Sequence, residues 1–242
     1  MKGRLTIAVA ACVAVVVLAG GGAYVYFFSG LRSSPTALGL SATPSPAATG
    51  ASTPATAGTL AGTWTVTTGS LAGYRVKELF VGQTSKHEAV ARTSSVGGSL
   101  TVSGDSSGYH VTGITFTAAL TDLHSVDSVA GRDVTQRDSF VSRQMNLQQF
   151  PNATFTASSG SVPATGGSGP VDVSAAGKVT IHGVAKDVTA TAKAQLTGGR
   201  IEIAGSMSID MTDYGVSPPS VPFTTVDSQV TIEFDLFLTR SA

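Results

Sequence analysis

The sequence predicts an all-β domain of about eight antiparallel strands, a barrel or a sandwich, standing behind an apolar N-terminal helix and an unstructured stalk. Three observations predict it. Apolar and polar residues alternate at period two in run after run beyond Thr63, the pattern of strands with one dry and one wet face. Glycine-rich pairs (Gly97-Gly98, Gly166-Gly167, Gly198-Gly199) punctuate those runs, and no helical pattern alternates with them, which argues against a parallel sheet. Before them, residues 5–28 and 33–58 hold no charged residue at all.

The N-terminal element follows from length and charge. Leu5–Phe28 is a 24-residue apolar run with Lys2 and Arg4 before it and Tyr24, Tyr26, Phe27 and Phe28 at its far end. As a helix it would span about 36 Å, against roughly 30 Å of hydrocarbon. Basic residues ahead of the run keep residues 1–4 cytoplasmic and export the rest. Residues 1–32 are therefore read as a single-pass plasma-membrane anchor. The alternative is a cleaved signal with Val17-Leu18-Ala19 at its cleavage site and a secreted product, although such signals have a shorter apolar core. Cys12 is the only cysteine, so no intrachain disulfide forms.

Residues 33–58 comprise seven Ala, five Ser, five Thr, four Pro, three Gly and two Leu. That composition buries too little apolar surface to offset its ordering entropy, and it reads as a disordered linker. Residues 59–242 form one domain, large enough for a real core. Three of the 15 basic residues (Lys2, Arg4, Arg32) precede Thr59, leaving 12 against 15 acidic. A mildly acidic domain without a basic run is a poor nucleic-acid binder.

The strands are legible one by one. Trp64 and Val66 alternate first, then Ile114, Phe116, Ala118 and Leu120. Val179 and Ile181 follow, then Val188, Ala190, Ala192, Ala194 and Leu196. Ile201, Ile203, Met207, Ile209 and Met211 share one parity, and so do Val230, Ile232, Phe234, Leu236 and Leu238. Thr197-Gly198-Gly199-Arg200 between two such runs signals a tight hairpin. Residues 129–149 break the pattern. Val134, Phe140, Val141, Met145 and Leu147 fit one face of a short helix that Pro151 ends, either capping the barrel or crossing its outside.

An eight-stranded barrel has a lumen wide enough for side chains or one small ligand. The inward parity is apolar, and many of its members are small. It supports two readings, a solid packed core or a dry tunnel for an apolar ligand. Catalytic patterns are weak. No Gly-x-Ser-x-Gly elbow occurs, and His87, His110, His124 and His182 form no metal-ligand spacing. The chain is read as a non-enzyme with no catalytic residue, metal or cofactor.

Four segments in order resemble the YceI-like family. They are Trp64-x-Val66 with Ser70 and Tyr74-Arg75-Val76; Ser125-x-Asp127 with Arg132-Asp133 and Asn146-x-x-x-Phe150-Pro151-x-Ala153-x-Phe155; Gly177-Lys178-Val179-Thr180-Ile181-His182-Gly183-Val184-x-Lys186-x-Val188; and Asp213-Tyr214-Gly215-Val216 followed by Val226-x-x-x-Val230-x-Ile232. The sequence departs from the family pattern at Met211, where Arg is common. The resemblance implies an eight-stranded antiparallel lipocalin-like barrel with a short inserted helix. It also implies extracytoplasmic binding of an apolar isoprenoid-type lipid, a polyisoprenoid or isoprenoid quinone. The tunnel lining then comprises Trp64, Val76, Ile114, Phe116, Ala118, Leu120, Phe140, Phe155, Val179, Ile181, Val188, Ala190, Ala192, Ile203, Met207, Ile209, Ile232 and Phe234. His124, Arg132, Arg137 and Arg143 are headgroup candidates, or else solvated charge around the helix. A packed structural or partner-binding barrel and an enzyme with a site at the mouth stand as alternatives.

Overall fold

The computed structural model describes Gly21 and residues 32–41, 60–105, 108–162 and 169–241. The apolar run read as a membrane anchor and most of the linker lie outside the described residues. No described helix is long and apolar enough to cross a membrane.

Eight antiparallel strands close into a barrel, each paired with its sequence neighbour. Strand β1 comes in two segments, Gly62–Val66 and Leu71–Phe80, and β2 likewise, His87–Thr93 and Val96–Asp105. Then follow β3 (Gly108–Ala119), β4 (Asn152–Gly160), β5 (Val171–Ile181), β6 (Val184–Thr197), β7 (Arg200–Asp210) and β8 (Thr224–Arg240). β8 closes the ring. It pairs with β7 from Ile201↔Leu238 to Asp210↔Gln229 and with both segments of β1 on its other side. Closure through the β7–β8 pairing covers most strand edges, the usual liability of an all-β domain, and the His87–Thr93 segment is edged by the short His124–Ser125 strand. The β6–β7 hairpin turns on Gly198 and Gly199, whose φ of 59° and 79° only glycine adopts cheaply.

Parity decides which residues face inward. Phe116 lies opposite Phe155, and Phe155 opposite Val179; Ile203 lies opposite Leu236, and Ile232 opposite Met207 and Tyr74. Thr189 and Thr191, of opposite parity to Ala190, are exposed. The helix, α1 (Gln136–Gln144), is shorter than the 129–149 stretch that suggested it. Asp133 Oδ1 accepts from the backbone and hydroxyl of Thr135, fixing a turn just ahead of the helix. It sits at one end of the barrel, here called the upper end, with the 81–86, 182–183 and 211–219 connections.

The first part of the predicted linker does not hang free. Residues 32–41 run down the outer wall, mostly through backbone groups. Arg32 and Ser33 pair with Val129 and Ser128 at the upper end. Below, Pro35 and Thr36 carbonyls accept from Arg75 and Arg92, 2.6 Å each. The Leu38 amide donates to Glu233 and the Ser41 amide to Glu202. Glu233 faces outward yet is only 1% exposed, held by Arg75 Nε at 2.6 Å and Arg92 Nε at 2.8 Å. Gly73, opposite Arg92, has no space for a side chain, because a Cβ there would run into the Ala91 carbonyl oxygen and lie 2.9 Å from Arg92 Cγ.

Asp235 is a second buried outward carboxylate, and its Oδ1 has no partner among the described residues. Burial, with help from the Glu202 charge, pushes its pKa up to about 6. The folded state therefore binds this proton more tightly than the unfolded chain, and stability falls as pH rises from about 4 through about 6. Asp235→Asn should raise unfolding free energy at pH 8 by about 1–3 kcal/mol. The gain should vanish near pH 4, as read by urea titrations at both pH values.

Candidate functional site

The barrel encloses a lumen in two chambers. The upper one, about 860 Å³, lies beneath α1. The lower one is about 480 Å³. Ala72, Ala118, Ala153 and Ile232 line both, so the chambers meet at a waist built mainly of alanine. A fully packed core leaves few voids larger than a water molecule. The upper chamber alone is at the large end of small-molecule pockets.

Most of the residues read as tunnel lining face this lumen. Val76, Leu120, Phe140, Ile181 and Ile209 face the upper chamber. Ile114, Phe116, Phe155, Val179, Ala190, Ala192, Ile203, Met207 and Phe234 face the lower, and Ala118 and Ile232 face both. Two do not. Trp64 is buried in the core opposite Leu100, its Nε1 donating to the Leu60 carbonyl at 2.9 Å. Val188 packs against the core but lines neither chamber. The lining also includes Tyr74, Phe80, Val134, Met145 and Leu147 above and Leu60, Leu100, Val102 and Tyr109 below. Tyr74 and Phe80 share the parity of Val76, and Leu100 that of Val102, a signal present in the sequence but diluted by glycine and charge. Met211, at the position where the family commonly has Arg, lines the upper chamber as an apolar side chain.

The upper end also holds a polar cluster that periodicity missed. Glu78 and His87 lie opposite each other on β1 and β2 and face inward. Asp127 follows the short His124–Ser125 strand. His87 Nε2 is 2.7 Å from Asp127 Oδ2, and the Val90 amide donates to Asp127 Oδ1 at 3.0 Å. From α1, Arg137 reaches Asp127 and Glu78, 2.8 Å each. Burial pushes the Asp127 carboxyl up, but bonds from His87, Arg137 and Val90 outweigh it and hold the pKa well below the usual range. Burial leaves Glu78 raised despite the attraction of Arg137. It raises the Tyr74 phenol as well.

Ligand atoms of Glu78, His87 and Asp127 lie within 4.8 Å of one another, close enough to share a metal ion. The donor set is already engaged, however, because the Arg137 guanidinium bonds both carboxylates. A divalent ion would have to displace that half-buried cation, and the arrangement reads as a clamp.

What it clamps is α1. None of the helix's residues is buried, so apolar packing holds it weakly. Its ties are polar: Arg137 as above, Asp138 accepting from the Ser125 amide and hydroxyl, and Gln144 Nε2 donating to the Ser217 carbonyl. This sorts the four headgroup candidates. Arg137 is committed to the clamp, and His124 is exposed, its Nδ1 3.2 Å from the Asp122 carbonyl. Arg132 and Arg143 line the upper chamber and are exposed, with the Arg132 guanidinium 4.2 Å from the Phe80 ring centre.

The YceI-like domain family matches residues 62–238. The chain belongs to the YceI-like family. No curated protein matches it. Among solved structures it is similar to a polyisoprenoid binding domain from Saccharophagus degradans implicated in plant cell wall breakdown, at 16% identity and TM-score 0.50, covering 75% of this chain and 99% of that one. Burkholderia cenocepacia BcnA is similar at 18% identity and TM-score 0.45, over 68% and 95% of the two chains. A Campylobacter jejuni YceI protein gives 13%, TM-score 0.39, and 59% and 81%. At such identities the likeness concerns the fold.

Arg137→Ala should leave two buried carboxylates without their cation and cost about 3–5 kcal/mol of unfolding free energy. Arg143→Ala, at an exposed position, should stay within about 0.5 kcal/mol. Denaturant titration of both variants distinguishes a clamp arginine from a rim arginine; equal effects would contradict that division.

Proposed function

We propose that this protein is an extracytoplasmic, membrane-tethered binding protein that holds one isoprenoid-type lipid, a polyisoprenoid or isoprenoid quinone, in the barrel lumen. The observation that carries the reading is the pair of adjoining apolar chambers that share an alanine-rich wall. Burying an apolar chain there is worth roughly 0.8 kcal/mol per CH₂, so affinity needs no polar contact. A polar end lies in the upper chamber, where Arg132 and Arg143 stand at the wall. The Tyr214 hydroxyl is there too, buried and unpartnered among the described residues, ready to bond a ligand oxygen. The similarity to a polyisoprenoid binding domain supports the lipid class, and the basic residues before the apolar run support the tether.

The waist gives the test. Ala118→Phe puts a ring where the chambers meet. Long polyprenols that need both chambers should lose at least tenfold in affinity, whereas chains short enough for the upper chamber should bind as before. The unfolding midpoint should change little, because the ring enters open space. If the waist is instead filled in solution, the same substitution overpacks it and costs about 1–3 kcal/mol without altering any lipid binding, and the reading fails.

A further inference from the structure

Only three large hydrophobic side chains among the described residues are strongly exposed: Val81, Phe223 and Leu196. Single exposed apolar residues are ordinary, but two of these adjoin. The Val81 amide donates to the Phe223 carbonyl at 3.0 Å, placing both at the upper end, where Phe223 also lines the upper chamber. Leu196 stands at the opposite end, beside the Gly198-Gly199 turn.

The chain approaches the barrel at that same upper end. Arg32 donates to the Ser85 hydroxyl and carbonyl, both at 3.1 Å, in the very connection that begins with Val81. It is also register partner to Val129, close to Arg132 on the chamber wall. Phe28, the last residue of the uncharged apolar run, precedes Arg32 by four positions. Four fully extended residues span at most about 14 Å. If the apolar run lies in the bilayer, the upper end of the barrel cannot stand farther than that from its surface. The docked 32–41 strap fixes which end it is.

We propose that the barrel rests on the bilayer with its helix-bearing end down, Val81 and Phe223 inserted at the membrane interface and the upper chamber facing the lipid. The proposal rests on the tethered lipid-binding reading and specifies its geometry. Lipid then passes between membrane and lumen without crossing water, and the long linker after residue 41 serves to return the chain to β1 instead of holding the domain at a distance.

Depth-dependent quenching tests this with the full chain in nanodiscs. Trp64, the single tryptophan, is buried and gives a common background. Val81→Trp and Phe223→Trp should show blue-shifted emission and at least twofold stronger quenching by lipids brominated near the headgroup. Leu196→Trp should match the parent under the same lipids. Quenching at Leu196 and not at Phe223, or equal quenching at all three, overturns the orientation. A blue shift without bromine quenching means that a second copy of the chain covers the patch and also overturns it, as does recovery of the chain free of nanodiscs. This readout does not depend on lumen occupancy. An empty lumen with quenched Phe223→Trp refutes the lipid-binding reading alone, and a filled lumen with unquenched Phe223→Trp refutes the orientation alone.

Discussion

Strand β8 sets the terms for the rest of the molecule. Its 17 residues close the barrel against β7 on one side and β1 on the other, so its two faces define inside and outside. Inward, Ile232 and Phe234 help to bound the lumen. Outward, Glu233 draws Arg75 and Arg92 across β1 and β2 and binds the Leu38 amide of the strap. A buried carboxylate is tolerable only when paired and hydrogen-bonded. Closing the ring and seating the strap are therefore consequences of one strand's alternation.

The lumen is the complementary consequence. Eight strands fix a radius, and whether side chains fill it depends on their size. Here Ala72, Ala118, Ala153 and Ile232 line both chambers, and three of the four are alanines. Leu100, Leu236 and Leu238 are almost fully buried, and Leu100 and Leu236 form part of the lower chamber's wall. The upper end is held by charge: the Arg137 clamp keeps α1 over an apolar chamber that its own few apolar contacts would not secure. A cap held by polar ties more than by packing is compatible with the lipid loading and release that the proposed function requires.

Much of this was legible in the sequence. Most of the residues that period-two parity put on the inner face do line the lumen, because an inward-facing row needs nothing beyond apolar character. The Ser125-x-Asp127 motif was visible as well, and its role is now clear: Ser125 holds Asp138, and Asp127 holds Arg137 and His87. What parity misjudged were polar residues in dry places. Glu78 follows Tyr74 and Val76 on the inner face, where alternation alone would place no carboxylate, and its partner Arg137 lies 59 positions away. The strap was invisible for a different reason. Its contacts come from the carbonyls of Pro35 and Thr36 and the amides of Leu38 and Ser41, and composition reports side chains, not backbone hydrogen bonds. Trp64 matched the inward parity and is buried, but its indole is turned to the Leu60 carbonyl and lines neither chamber, a distinction that alternation does not report.

The central claim is that the lumen is a lipid site and not a void left by small side chains. Native mass spectrometry of the full chain, released from its own membrane in mild detergent, tests it most directly. The account predicts a population heavier by one apolar molecule, lost on organic extraction and restored by adding a polyprenol or isoprenoid quinone. A chain that appears only at its apo mass and takes up neither compound would contradict it.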